Sequence, residues 1–419
     1  MATDTGAAIV AELAEDAAER FLGYVRIDTQ SDEDSESYPS TAKQLDLLQL
    51  LLDEVRVLGL ENATIDEHGY VTATLPSTVE HDVPAIALFA HVDTAREVTG
   101  AGVNPQRIRY GGGEIPLGSS GSVIRPSESP ELAHHEGHEL ITTDGTTLLG
   151  ADDKAGIAEI LAAVAYLAAH PEVPHGPVKV AFNPDEEIGR GVIHFPVNTF
   201  GVAAAYTVDG STAGEVQTET FSGEQVRMYI RGRAIHPGWA KGELVNAIKL
   251  AAALVAKLPA DTLSPETTDE REGYVHPVLI SGDSSSVELR FIVRDFENDL
   301  LDKHVELLRA LADEVAATDE RCSIEVETRI QYRNMRDALE QHPAIVANLE
   351  EAVRRVGLEP KRTAIRGGTD GSVLTEMGLP TPNIFTGGHD AHSEREWICV
   401  EDMGLAAATI VELAKIWAE

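Results

Sequence analysis

Five separated patches place His, Asp or Glu where an apolar run should give way to a loop. They are "FAHVDT" at 89–94, "LLGADDKAG" at 148–156, "NPDEEIG" at 183–189, "TVDG" at 207–210 and "GGHDAHSE" at 387–394. A single metal ion needs about four ligands, and a pair sharing a bridging carboxylate needs slightly more. The patches supply that number with little left over, and the chemistry they point to is metal-assisted hydrolysis.

His91 and Asp93 are two apart at the end of a β run, so in extended chain both side chains leave the same face. His91 can bind metal through one ring nitrogen while Asp93 accepts a hydrogen bond from the other. The bland alternative is a satisfied pair of sheet-end polar residues. Asp152 and Asp153 precede a helix, where acids also serve as caps. That account suits Asp153, whereas a carboxylate with both oxygens free, such as Asp152, is a natural bridge between divalent ions. Adjacent Glu186 and Glu187 repel unless a cation or a shared proton offsets the cost. With metal present, one ligates and its neighbour takes a proton from water. Asp209 closes another β segment, and of His389 and His392 only one need bind metal. Oxygen donors with two imidazoles fit zinc in a dinuclear hydrolase, with manganese or cobalt as accepted substitutes. No G-x-S-x-G elbow follows a buried strand, which leaves serine catalysis a weak rival.

The elements that must position these residues follow from periodicity. An amphipathic helix opens the chain, and "TAKQLDLLQLLLDEVRVLG" repeats the helical period up to Gly59. The stretch "ATIDEHGYVTATLP" predicts a hairpin turned at His68–Gly69. "PAIALFAHVD" reads as a strand covered on both faces, as in a parallel sheet. The glycine- and serine-rich region from about 97 to 130 reads as loop. "LLGADDKAGIAEILAAVAYLAAH" is strand end, turn and long apolar helix, and "GPVKVAFNPDEEIG" and "AAAYTVDG" are further buried strands ending in acids. From about 214 the order becomes β-α-β-β-α-β, the ferredoxin-like signature. After about 330 the α/β texture returns, with helices at 343–356 and 401–418. The simplest organisation is one α/β domain in two parts, 1–213 and 331–419, interrupted by a smaller domain at 214–330.

The chain of 419 residues is 43% hydrophobic and can bury a full core. Its 33 basic against 70 acidic residues give a formal net charge of -37, which argues against nucleic acid or an anionic membrane as partner. Such a surface is heavily hydrated and suited to high salt, where self-repulsion is screened. Cys322 and Cys399 are the only cysteines, too few for a disulfide framework or a four-thiolate zinc site. The first helix is broken by Glu12, Glu15, Asp16 and Glu19 and is not a signal peptide. No run approaches a membrane span. A soluble, cytoplasmic protein is expected.

From the first helix to the last the chain resembles the peptidase T (aminotripeptidase) branch of the cocatalytic dizinc metallopeptidase family, which also holds aminoacylases and carboxypeptidase G-type enzymes. The motifs that carry the resemblance are "HVDT", "LLGADDKAGIAEI", "NPDEEIGRG", "YTVDG", "HPGWAKGELVNAI", "IVRDF" and "RGGTDGSVLTEMGLPTPNIFTGG" with the closing histidine. It implies a zinc-peptidase-like α/β catalytic domain with a mostly parallel central sheet, interrupted by a ferredoxin-like α+β lid. It further implies two Zn2+ per subunit: His91 and Asp209 on one, Glu187 and His392 on the other, Asp152 bridging. Asp93 would orient His91, Glu186 would be the general base, and the Asp152–Asp153 peptide would be cis. His236 of the inserted domain would stabilise the oxyanion over the scissile carbonyl, although a lone His before Pro is ordinarily a loop residue. Arg294 and Arg366 would bind substrate, each having a local salt bridge as its structural alternative; for Arg294 the near partner is Asp295. His389 departs from the pattern, which more often has an aromatic residue there.

The activity so implied is removal of the first residue from a tripeptide with a free N-terminus. A related dipeptidase, carboxypeptidase or N-acyl amino-acid deacylase with the same core is the alternative. Short peptides are the expected partners, and a homodimer is allowed because dimers occur in the wider family through the inserted domain.

Overall fold

The computed structural model describes residues 4–118 and 120–419. The chain forms two compact units. The first comprises Met1–Thr218, Met335–Thr363 and Thr369–Glu419; the second comprises Glu219–Asn334 with Ala364–Gly368. Arg366, which lies beyond 330 and so in the returning α/β part by the sequence boundaries, belongs to the second unit.

An eight-stranded mixed sheet organises the first unit. At its centre the strands Val178–Asn183, Ile86–His91, Ala204–Gly210 and Asn383–Phe385 lie side by side and parallel. The pairing turns antiparallel outside them, because the hairpin Glu61–Ile65 and Val71–Leu75 adds to one side and Glu215–Thr220 to the other. The sheet is thus parallel at its centre and mixed as a whole. Every residue of Ile86–His91 is buried, as expected of a strand covered on both faces. The helix Ala151–Ala169 is apolar on nearly every side and is correspondingly buried almost throughout. Gly156 lets it press on the sheet, since a Cβ there would stand 1.8 Å from the Val208 carbonyl oxygen. The first helix, Asp4–Tyr24, packs on the last, Val400–Ile416.

The region from 97 to 130 departs from the expected loop. Gln106–Arg109 pairs with Glu139–Thr142, which pairs in turn with Trp397–Cys399 and, through it, Gly388–His389. A second small hairpin joins Ile115–Pro116 to Val123–Ile124. These strands are only two to four residues long, too short for a local period to mark them.

In the second unit the elements run Ser222–Arg231, helix Ala247–Val255, Tyr274–Gly282, Ser286–Asp295, helix Asn298–Ala316 and Ser323–Tyr332. All three pairings are antiparallel, and the third strand lies between the first and second. This is the ferredoxin-like arrangement. Val226, Met228, Leu289, Phe291 and Leu308 lie in its apolar core. Among the described residues no helix is long and apolar enough to cross a membrane.

Candidate metal centre

In open α/β sheets, ligands gather beyond the carboxyl ends of the parallel strands. Three adjacent central strands do this here. One ends at His91, one runs from Asn183 into the turn bearing Glu186 and Glu187, and one carries Asp209. Asp152 comes from the N-terminal end of the buried helix and His392 from the loop after Gly388–His389.

These side chains converge. His91 Nδ1 lies 3.0 Å from its neighbour's carbonyl, that of Asp93, and 3.2 Å from Asp93 Oδ1, so the ring donates its proton there. Its Nε2 then faces Asp152 Oδ1 at 3.0 Å and Asp209 Oδ1 at 3.9 Å. The other oxygen of Asp152 faces a different imidazole: Oδ2 is 3.3 Å from His392 Nε2, which also lies 3.0 Å from Glu187 Oε2. Asp152 therefore has one oxygen toward each histidine. Ligand atoms of His91, Asp152 and Glu187 lie within 4.8 Å of one another, as do those of His91, Asp153 and Asp209.

The electrostatics describe a site short of positive charge. Burial pushes the carboxyls of Asp209 and Glu186 well above the ordinary range, with neighbouring carboxylates adding to it. Burial and Asp152 together raise Glu187 to about 7. Burial would raise Asp152 too, but hydrogen bonds from His392 and His91 outweigh it and hold that carboxyl below its usual value. Hydrogen bonds to Asp152 and Glu187 lift His392 to about 11. Among the described residues, Glu187 Oε1 is buried without a hydrogen-bond partner. Converging oxygens, two imidazole nitrogens and an orphaned carboxylate oxygen fit divalent cations of the zinc type, which replace protons at such sites.

Supporting groups hold the turns. Asp93, fully buried, accepts the N–H of Glu186 at 2.9 Å and of Glu187 at 3.2 Å. Asp185 adopts a left-handed backbone, φ 64°, and its carboxylate takes bonds from Ser40 and Gln44. Asp153 accepts the N–H of His91 and of Gly156, each at 3.2 Å, and its peptide with Asp152 is cis. Glu396 accepts the N–H groups of Leu149 and Gly150 at 2.7 Å and of Asp152 at 3.1 Å, clamping the Asp152 turn. Asp370 bonds Asn183 at 2.6 Å, and burial raises its carboxyl to about 7. Sequence reasoning did not single out Asp185, Glu396 or Asp370 for these positions. Asp185 and Asp370 stand inside quoted motifs, whereas Glu396 falls just past one and carries no local signal.

The remaining predicted residues lie in the second unit. His236 is exposed, its Nδ1 accepts the Gly238 N–H at 3.1 Å, and its ring rests on the exposed Trp239. That bond leaves the proton on Nε2, free to donate. Arg294 is buried; it donates to the carbonyl of Val293 at 3.0 Å and lies over the Tyr332 ring. Asp295 pairs instead with His304 at 2.9 Å. Arg366 donates to the carbonyls of Glu270 and Glu272 at 2.8 and 3.0 Å and sits over Phe221.

Known proteins resemble the chain over nearly its whole length. Residues 137–416 match the family model described as Peptidase family M20/M25/M40. Peptidase T of Geobacillus thermodenitrificans is 48% identical over 401 residues, covering 95% of this chain and 97% of its own. Peptidase T of Bacillus subtilis is 48% identical over 405 residues, covering 96% and 98%. Among solved structures, an aminopeptidase PepT from Bacillus cereus aligns with TM-score 0.73 at 24% identity, covering 97% of this chain and 99% of its own. A Staphylococcus aureus tripeptidase aligns with TM-score 0.75 at 23% identity, covering 97% and 98%. A Bacillus subtilis dinuclear metal-binding peptidase from M20 family aligns with TM-score 0.64 at 16% identity, covering 98% of each chain. These three share the fold. The strand ends that gather these His, Asp and Glu side chains thus sit within a sequence related over 95% of its length to a known peptidase, and the chain belongs to peptidase family M20/M25/M40.

Proposed function

We propose that the chain is an aminotripeptidase that uses two zinc ions to release the first residue of a free tripeptide. The observation that supports a dinuclear centre is the placement of Asp152, whose two oxygens face His91 and His392 separately. The substrate class follows the relatives, which are named Peptidase T.

His91 and Asp209 would hold one ion, Glu187 and His392 the other, and Asp152 both. When bound, the ions supply Lewis acidity toward the substrate carbonyl and toward water. Asp93 keeps the His91 proton on Nδ1, leaving the Nε2 lone pair to the metal. Glu186 stands beside the ligand Glu187 with its backbone N–H held by Asp93, and its carboxyl, unlike that of Glu187, is not paired with His392. It takes the proton from water and passes it to the departing amine nitrogen. Nε2–H of His236 would donate to the oxyanion, and Arg294 and Arg366 would hold the substrate.

The test is a panel of free di-, tri- and tetrapeptides, an N-acetylated tripeptide and an N-acyl amino acid, assayed on enzyme loaded with zinc, manganese or cobalt. The expected result is preferred cleavage of the free tripeptide into its first residue and a dipeptide, fastest with zinc. Preference for the N-acyl amino acid overturns the substrate assignment.

A further inference from the structure

A second group of ligand-type side chains shares no residue with the dinuclear centre. His135 follows the short 3-10 turn Pro130–His134, His389 lies in the strand Gly388–His389, and Asp402 lies in the first turn of the last helix. All three are buried, at 5%, 7% and 6% exposure. One ligand atom from each lies within 4.8 Å of the others.

The hydrogen bonds leave both imidazoles ready to ligate. His135 Nδ1 lies 2.8 Å from the carbonyl oxygen of Glu131, which can only accept, so the proton is on Nδ1. His135 Nε2 faces Asp402 Oδ2 at 2.8 Å. A neutral ring would set lone pair against lone pair there, so a cation, proton or metal, is required. An Nδ1–H donated to a backbone carbonyl is also the usual orientation of a metal-binding histidine. His389 Nδ1 lies 3.5 Å from Ser211 Oγ, whose own proton goes to the Gly388 carbonyl at 2.7 Å. His389 Nε2 is buried and has no hydrogen-bond partner among the described residues. Burial brings this imidazole down to about 4, so it is neutral at pH 7. Stacking on the fully buried Trp397, with ring centroids 4.3 Å apart, fixes its plane.

We propose that His135, His389 and Asp402 form a separate zinc site that clips the 387–392 loop to the start of the last helix. Two imidazoles and one carboxylate suit zinc and disfavour calcium or magnesium, which take oxygen shells. Three protein ligands leave one position of a tetrahedral ion for water or a neighbouring group. Cys399 and His138 form an overlapping set with His135. Burial pushes the Cys399 thiol up, away from the thiolate that binds metal, so the carboxylate set is favoured. His389 stands three residues before His392, so the clip would steady the loop that carries a ligand of the main centre without taking part in it. The inference stands independently of the substrate assignment.

The test is zinc stoichiometry by elemental analysis after the full-length protein has been stripped, reloaded with Zn2+ alone and freed of excess ion. Wild type is compared with His389→Phe, which keeps a ring against Trp397, and with Asp402→Asn and Cys399→Ser. His389→Phe and Asp402→Asn are each expected to hold one equivalent fewer than wild type, and Cys399→Ser the full complement. Equal zinc in wild type and folded His389→Phe overturns the proposal, as does a loss confined to Cys399→Ser. Should Asp402→Asn not fold, His389→Phe alone decides.

Discussion

Asp93 accepts the backbone N–H of Glu186 at 2.9 Å while the same carboxylate, 3.2 Å from His91 Nδ1, fixes the tautomer of that ring. A single buried carboxylate thus orients His91 on one strand and holds the turn that carries Glu186 and Glu187 after the next. The proposed ligand and general base are held in register through it.

Asp93→Asn keeps the size but turns one acceptor into a donor, which must then face a backbone N–H or the His91 ring. Second-layer partners of this kind are worth about 10–100-fold in metal affinity. A loss of that order is expected in a competition titration against a chelator, together with lower kcat. Unchanged affinity would remove Asp93 from its assigned role.

Glu186→Gln should separate chemistry from binding. The His392 ring faces Glu187, not Glu186, so the metal content of the variant should match wild type. Its kcat should fall by about 10²–10⁴-fold, the usual contribution of a general base. Retained turnover in the metal-loaded variant would place the base elsewhere.

Glu396→Gln tests the clamp on the Asp152 turn. The carboxylate serves three N–H groups from inside the protein, and burial raises it to about 7 even so. An amide offers one oxygen in place of two, so at least one N–H loses its partner, at about 1–3 kcal/mol. A lower urea midpoint and weaker metal retention are expected. A variant matching wild type in both would show that the turn holds without the clamp.

Glu159 gives a pH dependence located away from the catalytic residues. It sits mid-helix, fully buried, and neither oxygen has a hydrogen-bond partner among the described residues. Burial, with the charge of Asp402 nearby, pushes its carboxyl well above the ordinary carboxylate range. The folded protein therefore keeps this proton after the unfolded chain has released it. Its contribution to stability is full below the unfolded pKa and declines as pH rises toward the folded one, at about 1.4 kcal/mol per pH unit. Glu159→Met should remove that slope, so its advantage in melting temperature over wild type should grow from pH 5 to pH 8. A constant difference across that range would contradict the assignment.

Much of the candidate site was legible because His91, Glu187 and Asp209 lie at or just past the ends of apolar runs, and each run reports its own strand. His91, Asp152, Glu187, Asp209 and His392 come together in the first unit, as the spacing of the patches invited. The ferredoxin-like order was legible for the same reason, since strands of nine or ten residues alternate visibly. What could not be read was support supplied from a distance. Glu396 reaches back to Leu149, Gly150 and Asp152, and a carboxylate serving remote backbone leaves no period around itself. Asp295 looked like the partner of Arg294 by adjacency, yet neighbours on a strand point to opposite faces, and each found another partner.

The sheet order carries a further consequence, for when the enzyme can first act. Its central strands run Val178–Asn183, Ile86–His91, Ala204–Gly210, Asn383–Phe385, and the last is made long after the others. His392 follows that strand, so a growing chain can expose His91, Asp152, Glu187 and Asp209 and still lack the imidazole opposite Asp152 Oδ2. The group of five is complete only once synthesis has passed His392, so any nascent chain shorter than that lacks the full set of side chains the proposed centre calls for.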